Sequence, residues 1–127
     1  MTEIVLDASA LLVMLAAEPG SEIVARSLPN AAMSAVNLSE VIAKLADHGM
    51  PESAIRSSLE GLGLDIYPFD AELAYSAGAL RPATRSLGLS LGDRACLALG
   101  LKLSAAVLTT DREWKKLKIG ARVRTVR

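Results

Sequence analysis

The chain alternates short apolar runs with longer segments whose apolar residues recur at helical spacing. Glu3–Leu6 (EIVL) runs into Asp7 and reads as a buried strand. Ser9–Ala17 is apolar on nearly all sides, follows Asp7 as a helix, and stops at Glu18-Pro19-Gly20. Ser21–Leu28 predicts a helix with Ile23, Val24 and Leu28 on one stripe, ended by Pro29-Asn30. Ala31–Ser34 is a short, weak strand. Asn37–His48 is helical, with Leu38, Val41, Ile42 and Leu45 at helical spacing and Gly49 as the stop. Pro51 opens a further helix to Leu62, and Gly63 follows it. Leu64–Phe69 predicts a third strand, at a sheet edge because Pro68 has no N–H to give a ladder. Asp70–Leu80 is helical, with Pro82 interrupting or ending it. Ser90 starts a long apolar helix to Leu103, and Ala105–Leu108 is a fourth strand running into Thr109-Thr110-Asp111. Arg112–Leu117 is a short helix or turn, and Ala121–Val126 a fifth strand. Strands that alternate with helices over short connections predict an α/β fold, with a mostly parallel sheet of about five strands flanked by helices. No repeat, linker or low-complexity tract divides the chain, which reads as a single domain over 1–127.

Composition narrows the chemistry. Apolar residues make up 51% and aromatics 3% of the 127 residues, so aliphatic side chains fill the core. That scarcity of rings argues against a nucleic-acid binder built on stacking platforms. One cysteine excludes an internal disulfide, and one His with one Cys cannot build a usual zinc site. Any metal is therefore held by oxygen. No stretch reaches the roughly 18 apolar residues of a membrane span. The run Ala8–Ala17 follows Glu3 and Asp7, where a signal peptide would be basic, so a soluble, cytoplasmic protein without membrane contact is expected. The zero net charge conceals an asymmetry. Residues 1–80 carry 11 acids and 3 bases, whereas residues 81–127 carry 3 acids and 11 bases. A basic end beside an acidic remainder can hold a polyanion near an acidic centre, although a solvated, self-complementing surface has the same composition.

In an open parallel sheet, ligands bind at the carboxyl ends of the strands. Asp7 is the first residue past strand one, and Glu40 lies in the first turn of the helix after strand two. Asp93 lies in the first turn of the helix before strand four, and Asp111 follows that strand. The four face one cleft if strands one, two and four are neighbours. Each also has an ordinary structural role open to it. Asp7 and Asp111 suit helix caps, Glu40 suits an i, i+4 pair with Lys44, and Ser90 with Asp93 forms an S-x-x-D capping box. Four carboxylates gathered beside apolar segments would repel one another and resist ionisation. A hard cation, Mg²⁺ or Mn²⁺, resolves that conflict and suits phosphodiester hydrolysis.

The segments IVLDASALL (4–12), SAVNLSEV (34–41), LSLGDRACLALG (89–100) and VLTTDREW (107–114) resemble, in order and spacing, those of the PIN-domain ribonucleases. The similarity is greatest to the VapC-type toxins of type II toxin–antitoxin pairs, and it covers essentially the whole chain. It implies a Mg²⁺- or Mn²⁺-dependent endoribonuclease in which Asp7, Asp93 and Asp111 lie nearest the metal. Glu40 would ligate the metal directly or through water, or orient the attacking water, while Ser9 and Thr109 support the site through their hydroxyls. The implied reaction is attack of a metal-activated water on structured RNA such as tRNA or rRNA, leaving a 5′-phosphate and a 3′-hydroxyl. The implied partners are a second copy, as a homodimer, and an antitoxin protein that covers the active-site groove. A housekeeping PIN ribonuclease, or a silent PIN module that binds RNA or protein without cutting, would share these motifs.

Arg94, Arg112, Lys115 and Lys116 follow the candidate acids closely and are positioned to grip RNA phosphates, or else form a solvated basic face. A Cys96–His48 nucleophile pair has no oxyanion motif beside it, and Cys96 reads as a small core residue. Trp114 reads as an anchor of the last helix on the sheet. A haloacid-dehalogenase-like phosphatase would need a second Asp where this chain has Ser9. A phospho-receiver domain would need an acidic pair near Asp7 and a Lys after the last strand, and neither is evident.

Overall fold

The computed structural model describes residues 2–127. Five short strands, β1 (Ile4–Leu6), β2 (Ala31–Ser34), β3 (Asp65–Tyr67), β4 (Ala106–Thr109) and β5 (Val123–Thr125), form one sheet in the order β3-β2-β1-β4-β5. Every pairing is parallel, so the expectation of a mostly parallel five-stranded sheet holds. The strand containing the approach to Pro68 is an edge strand, as its missing donor requires. Strand β1 is central, with β2 on one side and β4 on the other, which is the neighbour relation on which the candidate cleft depends.

The connecting helices are α1 (Ala8–Leu15), α2 (Ser21–Ser27), α3 (Ala35–Asp47), α4 (Glu52–Glu60), α5 (Ala71–Ala79), α6 (Arg81–Thr84) and α7 (Leu91–Leu103). They cover both faces, which explains why the central strands read as continuous apolar runs without alternation. Ile4, Leu6, Met33, Ala106 and Leu108 pack on one face against Leu11 of α1, Val24 of α2, Val41 of α3 and Ile55 of α4. Val5 and Val107 point the other way, onto Leu73 of α5, Leu97 and Leu99 of α7, and Trp114. Trp114 is a core anchor as expected, and Cys96 is likewise a buried, small core residue.

Local chemistry corrects three boundaries. Helix α3 begins at Ala35, because Ser34 caps it directly from the strand and accepts a bond from the Val36 N–H at 3.2 Å. Glu40 therefore stands in the second turn of α3 and not the first. Pro82 does not disrupt a helix interior; it occupies the first turn of the separate helix α6, where its missing N–H costs nothing. Strand β5 is shorter than Ala121–Val126. Val126 leaves the ladder but still donates from its N–H to Thr109 O at 3.1 Å. The Arg112–Leu117 segment is a single 3₁₀ helix, Arg112–Lys116. No helix of the described residues is long and apolar enough to cross a membrane.

The C-terminal strap depends on Gly20, the residue before α2. Its φ is +101°, and a Cβ there would overlap the Val126 carbonyl. Gly20→Ala is expected to destabilise the chain by about 2 kcal/mol, through left-handed strain and backbone overlap together. Urea unfolding should show a lower midpoint with an unchanged slope, and an unchanged midpoint would show that the tail yields without cost.

Candidate active site

Asp7 leaves the carboxyl end of the central strand and is 5% exposed. It is the N-cap of α1, and its Oδ1 accepts from the Ala10 N–H at 2.8 Å and the Ser9 hydroxyl at 2.7 Å. Its Oδ2 accepts from the Thr109 hydroxyl at 2.5 Å. Each of these hydroxyls is itself fixed by the turn after β4. Ser9 Oγ accepts from the Thr110 N–H and Thr109 Oγ1 from the Asp111 N–H, both at 3.1 Å. Two residues distant in sequence thus become the two arms of one clamp on a single carboxylate.

The three bonds favour the ionised carboxylate, but burial outweighs them, and the negative charge of Asp93 adds to burial. The Asp7 carboxyl is accordingly held above the usual 3.8. Burial likewise pushes the Cys96 thiol well up, and the charges of Asp7, Asp93 and Glu40 push it further. The negative charges of Asp7, Asp93 and Glu40 are thus all felt at Cys96 on α7. No basic side chain forms a salt bridge with any of them among the described residues.

Asp93 forms the capping box with Ser90. Its Oδ2 accepts from the Ser90 N–H at 2.9 Å, and Ser90 Oγ accepts in return from the Asp93 N–H. Asp111 is more exposed and accepts from the Glu113 N–H through Oδ1 at 2.9 Å. Its backbone joins the site through Thr109, while its side chain caps the 3₁₀ helix. Asp93 Oδ1 and Asp111 Oδ2 carry no hydrogen bond among the described residues. Glu40 does not pair with Lys44. Its Oε1 accepts from Asn37 Nδ2 at 2.9 Å. Its carboxylate lies so close over Gly92 that a Cβ there would sit 2.6 Å from Glu40 Cδ. Among the described residues no three acidic, His or Cys side chains close into a ready metal cage. The structure brings Asp7, Asp93 and Glu40 into one electrostatic environment, with Asp111 at its margin.

Asn37 is the residue that the sequence reading passed over. It is 1% exposed, and its Nδ2 also donates to Gly92 O at 3.0 Å. Its only sequence signal is the i, i+3 spacing from Glu40 on α3. The basic candidates separate. Arg94 turns away, donating from Nη1 to Ala77 O at 3.1 Å, and so ties α7 to α5. Arg112 donates to Arg127 O at 2.8 Å, Lys116 pairs with Glu113, and Lys115 is exposed. Beside the clamp opens a groove of about 630 Å³ lined by Ser9 and Thr110, by aliphatic residues such as Leu12, Leu15 and Leu45, and by Glu18, Lys44, His48 and Arg127.

The Asp7 shift fixes a pH dependence. A carboxyl whose folded value is raised contributes stability that is fully present below its unfolded value, near 3.8, and is lost as pH rises through the folded value. At neutral pH, ionised Asp7 is a net cost to the metal-free fold. Asp7→Asn keeps the bonds at Oδ1 and turns an amide toward Thr109 Oγ1. It should raise the metal-free Tm at pH 7, with a gain that shrinks toward zero below about pH 4. Thermal unfolding across pH reads this, and a difference independent of pH would contradict it.

The fold matches solved structures over nearly all of its length. DNA-bound VapBC from Salmonella typhimurium matches with TM-score 0.77 at 18% identity, covering 100% of both chains. A toxin–antitoxin complex from Klebsiella pneumoniae matches with TM-score 0.78 at 19% identity, and VapBC-1 from nontypeable Haemophilus influenzae with 0.75 at 17%; each covers 98% of both chains. At such identities the likeness is one of fold. No curated protein matches in sequence. The PIN domain family, however, matches across residues 4–120. With almost the whole chain inside that match, and all four acids within it, this protein belongs to the PIN domain family.

Proposed function

We propose that the protein is a Mg²⁺- or Mn²⁺-dependent endoribonuclease and the toxin of a toxin–antitoxin pair. The observation that carries this reading is the Asp7 carboxylate, 5% exposed at the carboxyl end of the central strand, held by hydroxyls and a backbone N–H and without a cationic partner among the described residues. Uncompensated buried charge of this kind is costly, and a divalent cation relieves it. The donor set is wholly oxygen, which suits a hard ion. Asp7, Asp93 and Asp111 would hold the ion through carboxylate oxygens that include the unbonded Asp93 Oδ1 and Asp111 Oδ2, with Glu40 beside them directly or through water. When bound, the ion supplies neutralisation of the carboxylates and of the charge that develops on a phosphodiester.

The chain's own residues do the positioning. Ser9 and Thr109 fix both oxygens of Asp7. The exposed Glu40 carboxylate orients a water for attack, leaving a 5′-phosphate and a 3′-hydroxyl. Lys115, Arg112 and Lys116, next to Asp111, give a polyanion its purchase, and structured RNA such as tRNA or rRNA is the substrate class. Arg94 has no such part while it holds Ala77 O. The toxin role rests on the likeness of fold to chains of toxin–antitoxin complexes. An antitoxin segment would cover the groove beside Ser9 and Thr110, whose aliphatic lining suits a protein better than RNA. The toxin would act in the cytoplasm as a homodimer.

Incubating total tRNA and rRNA with the purified protein tests the reading. Discrete fragments are expected with Mg²⁺ or Mn²⁺ and none with EDTA. Asp7→Asn and Asp93→Asn should each lower the cleavage rate by about 100-fold or more. Metal at ten times its Kd should stabilise the wild type by about 1.4 kcal/mol and the variants by less. Absence of both cleavage and metal stabilisation would leave a binding module.

A further inference from the structure

We infer that Asn37 is a positioning residue of this site, acting through Glu40; the inference rests on the ribonuclease reading above. Three observations carry it. First, Asn37 uses one carboxamide nitrogen for two acceptors on different elements, Glu40 Oε1 at 2.9 Å and the Gly92 carbonyl at 3.0 Å. Gly92 directly precedes Asp93. The amide therefore sets where the Glu40 carboxylate stands relative to the start of α7, across 55 residues of sequence.

Second, the Glu40 carboxylate lies directly over Gly92, so that a Cβ there would displace it from its place beside the Asn37 amide. The carboxylate is held from one side by an amide and rests on bare backbone on the other. A Ser or Thr at position 37 would supply a single proton for one acceptor, and a Lys would add a charge; only a primary amide gives two neutral N–H donors from one atom.

Third, Asn37 Oδ1 is buried without any hydrogen-bond partner. A buried orphan acceptor lowers stability, and removing it together with its donor can leave the fold no weaker. Asn37 is thus a poor choice for stability and a good one for fixing Glu40. A residue kept for packing alone would show the opposite balance.

The test is a double-mutant cycle of Asn37→Leu with Glu40→Gln, with Asn37→Ser as a second, smaller variant that keeps a single donor. Readouts are the single-turnover cleavage rate on total tRNA and rRNA, and the rise in Tm on adding Mn²⁺. Asn37→Leu should slow cleavage by about tenfold or more and reduce the Mn²⁺-induced rise, with a metal-free Tm at or above wild type. Asn37→Ser should fall between. In the Glu40→Gln background either change should cost less than about twofold, because the group it positions is gone. Three results would overturn the role. One is an equal loss with and without Glu40. Another is a lowered metal-free Tm with wild-type cleavage. The third is wild-type cleavage and Mn²⁺ response in both folded variants. If wild type cuts no RNA yet responds to Mn²⁺, the Mn²⁺ readout alone decides. If it does neither, the ribonuclease reading fails first and the role with it.

Discussion

The site depends on one carboxylate being held at both oxygens where the central strand ends. Asp7 cannot turn, because Ser9 and Thr109 grip different oxygens, and neither hydroxyl can turn because the β4 turn donates a backbone N–H to each. The clamp works only if β1 and β4 are neighbours in register, and Leu6 opposite Leu108 sets that register. The apolar contacts of both sheet faces thus reach the site through four hydrogen bonds, two to the carboxylate and two from the β4 turn. Loss of packing under β1 or β4 would loosen the carboxylate before it unfolded the sheet.

Structural and chemical roles are not alternatives at these acids. Asp7 and Asp111 are helix N-caps and Asp93 is the N3 partner of the Ser90 capping box, and Asp93 and Asp111 each keep one oxygen unbonded in that role. A cap fixes a carboxylate to a helix terminus through one oxygen and leaves the other to face outward. The same bond that stabilises the helix start therefore sets the direction of the second oxygen. Like charges at one end of a sheet would splay apart if they stood on flexible side chains. Here three of them are restrained by backbone N–H groups and the fourth by an amide, so the repulsion remains within the folded state.

The sequence showed most of the scaffold because the physics was local. Buried strands gave unbroken apolar runs, Ser90 and Asp93 gave a capping box, and Pro68 marked an edge. Asp7, Asp93 and Asp111 were legible because each stands at a strand end or in the first turn of a helix, where sequence position determines location. Glu40 was misplaced by a turn, because Ser34 is both the last strand residue and the helix cap, leaving no loop to mark the change. Its partner was also misjudged, since Lys44 at helical spacing was the nearer cue, and Asn37 is held by a contact with Gly92 that no local pattern encodes. Arg94 looked available for phosphate because its neighbour is an acid. Its orientation is decided by α5, which packs on α7 from elsewhere in the chain.

The charge asymmetry along the chain is carried into the sheet by the strand order, although α7, from the basic part, packs back onto α5, β1 and β2. Strands β3, β2 and β1 come from the acidic first 80 residues, and β4 and β5 from the basic remainder. The seam between the halves is the β1–β4 pairing, where Asp7 meets Thr109. Asp7 and Glu40 come from the acidic side, and Asp93 and Asp111 from the basic one. Under the ribonuclease reading, local basic patches hold a polyanion while the acids are neutralised by the cation. Zero net charge is then compatible with nucleic-acid binding, since the attraction is local. Such a balance makes binding sensitive to salt at short range while leaving little long-range pull.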